Sequence, residues 1–593
     1  MPSGFSRVFE ATTEAIDKAV GWHRLPRPLG ILTLLGIRDQ LRKRNLHDTG
    51  PAAGNGGPAA PAFDSRYLTT RTVDGTYNDV DQPLMGSANT RFGRNVPLED
   101  TFPEPMPQLL EPNPRHVSLE LMTREEFIPA TTLNLLAAAW IQFEVHDWVF
   151  HGKNEEVDPW EMQCADDDPW PERPMRIPRT HHDGSVHSED GPPTWVNTET
   201  HWWDGSQIYG SSRDESMKLR SGEGGKLRMD ERGLVPADAE GALDYAGVAA
   251  TRWIGLLILH SLFIREHNAV CDHLHERYPE LSDDDLFDRA RLVIAALMAK
   301  IHTLEWTTAI IAHPTTVKAL NTNWWGLVGE RFDRRFGRPT KNEVIRGIIG
   351  SPTNHHGVPY SLTEEFVAVY RMHPLIPDEF TFRSARTGAV MQERTFPEVG
   401  ALGVRQRLEE LEMGDVFYSF GISHPGAITL HNFPRHLQRF ERPDGVLFDL
   451  AATDILRVRE RGVPRYNRFR ELMHMKPATS FDQLTDNPEW ADQIRQVYGG
   501  DLDRVDLMVG LFGEPKPRGF GFSDTAFRVF VLMASRRLES DRFFTRDYRP
   551  EVYTRAGLDW VDRNTMKTVL LRHFPELEPS LRGVENAFQP WAH

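Results

Sequence analysis

The sequence predicts a mainly α-helical protein, one large domain with little β structure, and three observations support this. Apolar residues recur at spacings of three and four over 129–151, 245–276, 282–312, 362–373 and 524–543, the period of a helix that buries one face. Strand alternation is scarce and no internal repeat is present. The chain has 593 residues, 39% hydrophobic and 10% aromatic, enough to enclose a large core.

In chain order, Pro28 to Arg38 reads as an apolar helix leading into Arg42-Lys43-Arg44, and residues 1–50 carry eight Arg or Lys against five Asp or Glu. Two readings stay open for it: a helix packed on the body with a solvated basic end, or one lying on a membrane surface. Gly50 to Pro61 is rich in Gly, Pro and Ala, so the expected division is 1–49 N-terminal helices, 50–110 linker and extended wrap, and 111–593 catalytic domain. The helix from 282 opens on Ser282 followed by Asp283, Asp284 and Asp285, a hydroxyl N-cap with an acidic first turn. Proline-rich 166–193 and 463–466 read as loops.

Bulk properties narrow the function. The net charge of −17 disfavours nucleic acid as a partner, because phosphates would be repelled. Only Cys164 and Cys271 occur, too few and too far apart for a disulfide-rich module or a cysteine metal site, and a reducing compartment fits. No charged-then-apolar leader opens the sequence, and the longest apolar run, Trp253 to Ile264, falls short of the ~20 residues that span a bilayer. The expectation is a cytoplasmic protein, with peripheral membrane contact left open and no obligate protein partner.

Three constellations carry chemistry. Gln142 and His146, four apart on an apolar helix, share a face, and Asp147 beside them would be costly to bury without a cation or several donors. Thr200, Asp204 and Ser206, with Gly205 allowing a tight turn, suit a hard cation such as calcium, or a metal-free Asx-type turn. Tyr370 and His373 are three apart in a helical pattern that Pro374 ends, which makes them neighbours: an axial imidazole and a redox-active phenol, or core packing.

Together with Arg265-Glu-His267-Asn268, and with matching stretches from Trp22 to Phe544, these motifs resemble the cyclooxygenase-like branch of the animal-type haem peroxidases, and within it the fatty-acid alpha-dioxygenases. The resemblance covers nearly the whole chain and implies a helical haem-peroxidase fold. It implies haem b held between distal His146 and proximal His373, with Gln142 on the distal face and Tyr370 as the radical residue. It implies one calcium ion on Asp147, Thr200, the Trp202 carbonyl, Asp204 and Ser206. A substrate carboxylate falls to His302 and Thr307, with Arg537 and its neighbour Arg536 from the C-terminal helix. Five residues correspond to about 140° around an ideal helix, so convergence of His302 and Thr307 does not follow from spacing. The implied reaction uses molecular oxygen as co-substrate and peroxide as activator. Tyr370 abstracts hydrogen from carbon 2 of a fatty acid, and the product is a (2R)-2-hydroperoxy acid. The alternatives are mid-chain oxygenation or peroxidase turnover on the same scaffold, and a non-catalytic haem sensor, against which Tyr370 argues.

Overall fold

A computed structural model describes residues 4–50, 59–181, 183, 191–237, 253–332, 342–400, 404–441 and 445–592. Helices form its body, and the strands among the described residues make only two-stranded sheets. The larger two are antiparallel ribbons: β1 (Glu155–Met162) with β2 (Met175–Arg179), and β3 (Glu379–Arg383) with β4 (Val390–Thr395). The expected mainly helical architecture is what the chain adopts.

The N-terminal helices α1 (Gly4–Val20) and α2 (Arg27–Arg44) pack against each other. They approach closely where Thr13 meets Gly36; a Cβ at Gly36 would lie 2.1 Å from the threonine hydroxyl. Leu34, Ile37 and Leu41 of α2 enter the main core with Trp22, each such side chain contributing roughly 1.5–3 kcal/mol. Two residues of the basic end of α2 form ion pairs, Arg42 with Glu343 (3.1 Å) and Glu539, and Lys43 with Glu10 (2.5 Å) and Asp39 (2.6 Å), while Arg44 is exposed. Neither open reading of α2 anticipated that pairing. Most of the Gly50–Pro61 stretch, 51–58, lies outside the described residues.

α3 (Leu136–Trp148) is buried on nearly every side and packs on α4 (Ile254–Arg277); the 245–252 part of the helix expected there lies outside the described residues. α5 (Asp283–Ile301) begins as its sequence predicts, the Ser282 hydroxyl accepting from the Asp285 N–H at 3.1 Å. It then widens into a π-helical turn, His302–Trp306, before α6 (Thr307–Ile310) and α7 (Pro314–Trp325). α8 (Glu364–Val369), capped by Thr363, is shorter than the helix expected over 362–373. Tyr370 is its C-cap, and His373–Leu375 form a separate 3-10 turn. The reason is Pro374: it donates no hydrogen bond, and in a continuous helix its ring would strike the Tyr370 carbonyl four residues back. α9 (Asp524–Ser540), capped by Ser523, crosses behind α8 and α2.

Candidate active site

The π-helical turn decides where two polar side chains meet. In a π turn the N–H of residue i+5 bonds back to residue i, and here the Thr307 N–H reaches the His302 carbonyl. Two residues that an α-helix would splay by about 140° are brought to one side, and both line a small cavity of about 20 Å³ with Tyr370 and Arg537. The spacing argument against convergence thus fails for a local reason, one extra residue in the turn.

That cavity is short of negative charge. Arg537 is buried, its guanidinium lying 4.1 Å from the Trp148 ring and 4.6 Å from the Trp203 ring. Its Nε and Nη2 have no hydrogen-bond partner, and neither has the Thr307 hydroxyl. The His302 Nδ1 accepts from the Trp140 indole N–H at 3.2 Å, so the ring proton sits on Nε2 and that nitrogen is a donor. The ring stacks on Trp306, and burial, aided by the Arg537 charge, holds its pKa well below the usual histidine range. A neutral donor, an unpaired hydroxyl and an unpaired guanidinium in one buried cavity suit a carboxylate. Arg536, expected beside Arg537, is elsewhere: its Nη2 donates to the Val358 and Pro359 carbonyls and it lies over Tyr360. Consecutive helical residues point about 100° apart, so only one of the pair reaches the cavity.

Tyr370 meets the same cavity and packs edge-on to Trp148, ring centres 5.5 Å apart. Burial raises its pKa above the ordinary phenol value, so the phenol stays protonated. Three residues on, the His373 Nδ1 lies 2.9 Å from Asp454 Oδ2, whose other oxygen is 2.9 Å from Arg371. With Nδ1 turned to a carboxylate, Nε2 is the nitrogen left to ligate, the arrangement that fixes tautomer and raises basicity in metal-bound histidines. The residues present therefore fit haem. His146 sits on α3 one position before Asp147, and Gln142, one turn earlier, accepts from the Trp253 indole at 2.5 Å.

On the other side of α3 the deficit is of positive charge. Asp147 is fully buried; its Oδ1 accepts from the Ser206 N–H (2.5 Å) and hydroxyl (2.7 Å), while Oδ2 has no partner. Burial, then repulsion from Asp204, pushes its pKa up to about 8. Asp204 accepts from Thr200 (3.0 Å) and pairs with Arg291 (3.0 Å). Gly205, in the left-handed region at φ 80°, makes the turn. Two neighbouring buried carboxyls, one with an orphaned oxygen and a raised pKa that a bound cation would lower, fit a cation among these groups. Among the described residues no cluster of three His, Cys, Asp or Glu side chains could hold a metal, so the remaining donors here are hydroxyls and carbonyls. The Trp202 indole donates to the Gly75 carbonyl.

Sequence reasoning missed the groups that orient these residues: Trp148 and Trp203 around Arg537, Arg291 on Asp204, Asp454 behind His373, and Glu144, which accepts from the Trp203 indole at 2.9 Å. The aromatic pair stands next to Asp147 and Asp204 in sequence, which was the available signal.

The helical body carries His146 and His373 on two segments with Tyr370 near the second, and the sequence profile described as animal haem peroxidase matches residues 70–587. The alpha-dioxygenase PIOX of Oryza sativa subsp. japonica is 37% identical over 99% of this chain and 96% of its own length. Alpha-dioxygenase 1 of Arabidopsis thaliana is 38% identical over 97% and 91%. The crystal structure of Oryza sativa fatty acid alpha-dioxygenase superposes with a TM-score of 0.91 at 36% identity, covering 100% of this chain and 98% of that one. This chain belongs to the alpha-dioxygenase family of the animal haem peroxidases.

Proposed function

We propose that this protein is a haem-dependent fatty-acid alpha-dioxygenase that inserts O2 at carbon 2 and yields a (2R)-2-hydroperoxy fatty acid. The observation that carries the reading is the anion-deficient cavity of Arg537, Thr307 and His302, which Tyr370 also lines. It opens toward room for a chain: a cavity of about 410 Å³ shares Leu320, Asn323, Phe530 and Ala534 with it and is walled by Ile31 and Leu34, within the range of ligand pockets. A solved Oryza sativa alpha-dioxygenase structure contains palmitic acid, a carboxylate with a long apolar chain.

In this reading Arg537 and Thr307 bind the carboxylate oxygens, and the neutral His302 adds a hydrogen bond from Nε2. Trp148 and Trp203 exclude water around the guanidinium and so strengthen that grip. With the carboxylate fixed, carbon 2 is the first carbon presented to Tyr370, and proximity selects it without an activated double bond. His146 and His373 would hold haem, which with peroxide as activator would supply the one-electron oxidising power that makes Tyr370 a phenoxyl radical. Tyr370 then takes one hydrogen atom from carbon 2, O2 adds to the carbon radical, and Tyr370 returns the hydrogen to the peroxyl oxygen, so atoms balance and the tyrosyl radical is regenerated. The R configuration follows the family resemblance. Calcium at Asp147, Thr200, the Trp202 carbonyl, Asp204 and Ser206 would tie α3 to the 200–206 loop and hold His146 in place.

The test is the position of oxygenation. Haem-loaded protein given palmitate, which has no allylic carbon, yields the 2-hydroperoxide or the aldehyde one carbon shorter. Mid-chain products only, or turnover of peroxide with no fatty-acid product, would overturn the reading.

A further inference from the structure

Tyr370 heads a short aromatic chain. Its ring stands edge-on to Trp148, and Trp148 stands edge-on to Trp203, with ring centres 5.5 and 5.7 Å apart. Both indoles are buried. Among the described residues the other ring against Tyr370 is Phe366, at 4.5 Å, which is far harder to oxidise. An indole gives up an electron about as readily as a phenol, so a phenoxyl radical on Tyr370 has an exit at Trp148 besides its substrate. In that side reaction the phenoxyl oxygen takes one electron from the Trp148 indole and one proton from water. The phenol is restored, an indole radical cation is left, and the oxidising equivalent is lost to the fatty-acid reaction.

Two features close this exit. The Arg537 guanidinium lies 4.1 Å from the Trp148 ring and 4.6 Å from the Trp203 ring, and its Nε and Nη2 have no hydrogen-bond partner. A cation over a neutral indole is attracted to it, whereas a second positive charge formed on that indole is repelled, strongly in a buried site. An indole radical cation escapes the repulsion by shedding its N–H proton. Trp148 has nowhere to send one, because its Nε1 is buried without a hydrogen-bond partner. Such an orphaned donor costs stability and calls for a reason. Trp203 differs: its N–H donates to Glu144 Oε2 at 2.9 Å, so a hole that reached it could pass a proton to that carboxylate and be trapped. The step that the structure blocks is therefore the first, at Trp148.

We propose that Arg537 has a second role as an electrostatic fence that, together with the unpartnered Trp148 indole, confines the radical to Tyr370 while the substrate pocket is empty. The proposal rests on the tyrosyl-radical reading of Tyr370 and adds a function for the contact between Arg537 and Trp148. A bound carboxylate offsets the guanidinium charge and lowers the fence, at the moment when the hydrogen on carbon 2 gives the radical a faster partner. The fence is highest when no substrate is present to take the radical.

The test is electron paramagnetic resonance of the haem-loaded full chain, frozen after addition of peroxide, in protein carrying ring-deuterated tryptophan. Deuteration narrows the signal of a tryptophan radical and leaves that of a tyrosine radical unchanged. The substrate-free parent gives the tyrosine signal. In Arg537→Met, at parental haem content and circular dichroism, the tryptophan share of the spins rises at least about tenfold above the parent's background, and Trp148→Phe added to that variant returns it to background. A second arm needs no variant: the parent saturated with 2,2-difluoropalmitate, a carboxylate with no hydrogen on carbon 2, also gains tryptophan radical. A radical that stays on tyrosine in both arms overturns the proposal, and so does a tryptophan signal in the substrate-free parent. A parent that consumes peroxide without forming any tyrosine radical overturns the reading of Tyr370 and the fence with it, an outcome distinct from the other two.

Discussion

Two pockets back onto each other across α3, and they lack opposite charges. Trp148 and Trp203 enclose Arg537, a buried cation with no ion-pair partner among the described residues, while their immediate neighbours are two buried carboxyls, Asp147 with one oxygen unpartnered and its pKa pushed up, and Asp204 paired with Arg291. The same two chain segments build both, because consecutive residues on a helix or a tight turn point to different sides. An unpaired buried charge costs stability unless a ligand completes it. Under the proposed function, the difference means that one pocket takes an anion that comes and goes, the substrate carboxylate, and the other a cation that stays.

Removing the cation should separate function from stability most sharply. Arg537→Met is expected to lower kcat/KM on palmitate at least about 100-fold, the loss of a charge-assisted grip worth about 3 kcal/mol, with Tm unchanged or raised because a desolvation penalty disappears. Steady-state oxygen uptake and a melting curve on one preparation check both halves; a large fall in Tm would mean that Arg537 is structural.

The opposite pocket should answer in reverse. Chelation is expected to lower the parent's Tm by about 1–2 °C, which for a chain this long corresponds to about 1–2 kcal/mol. Asp147→Asn relieves the repulsion with Asp204 and should melt at one temperature with or without chelator. Equal chelator sensitivity in both proteins would remove Asp147 from the site.

Acid should break the fold outside both pockets. Burial lowers the pKa of His151 and of His267 to about 4, His151 being further lowered by Arg461. Unfolded histidine titrates near 6.5, so between those values the unfolded chain binds more protons. Stability is then complete above about pH 6.5 and declines as pH falls toward 4, by up to about 3 kcal/mol per imidazole. Denaturant titrations at pH 7 and pH 5 measure the slope; a flat profile would contradict the buried neutral state.

Arg536 gives the smallest effect and the control for its neighbour. Arg536→Met removes two hydrogen bonds to the Val358 and Pro359 carbonyls, costing about 1–3 kcal/mol of stability, while KM for palmitate changes less than about threefold. A KM effect as large as that of Arg537→Met would return Arg536 to the carboxylate.

Much of the fold was legible because helix periodicity and capping are local. Ser282 and Ser523 cap the helices that the pattern predicts, and the apolar run of α3 is buried as its composition requires. The candidate site was legible as a set of residues but not as a geometry. The π turn at His302–Trp306 leaves no periodic signature, and Pro374 acts four residues upstream of itself, so Tyr370 lies beyond its helix. The choice between Arg536 and Arg537 depends on helix phase against the core. The orientation of α1, within the N-terminal helices expected over 1–49, was not legible for a related reason: amphipathic pattern reports which face is apolar, and only packing shows that Val8, Ile16 and Val20 are turned outward.

The central claim is that Tyr370, fed by a carboxylate held at Arg537, carries out hydrogen abstraction. Oxygen uptake by haem-loaded protein with palmitate, parent against Tyr370→Phe, tests it most directly. The account predicts uptake by the parent and none above background by the variant at equal haem content. Equal uptake by the two proteins would contradict it.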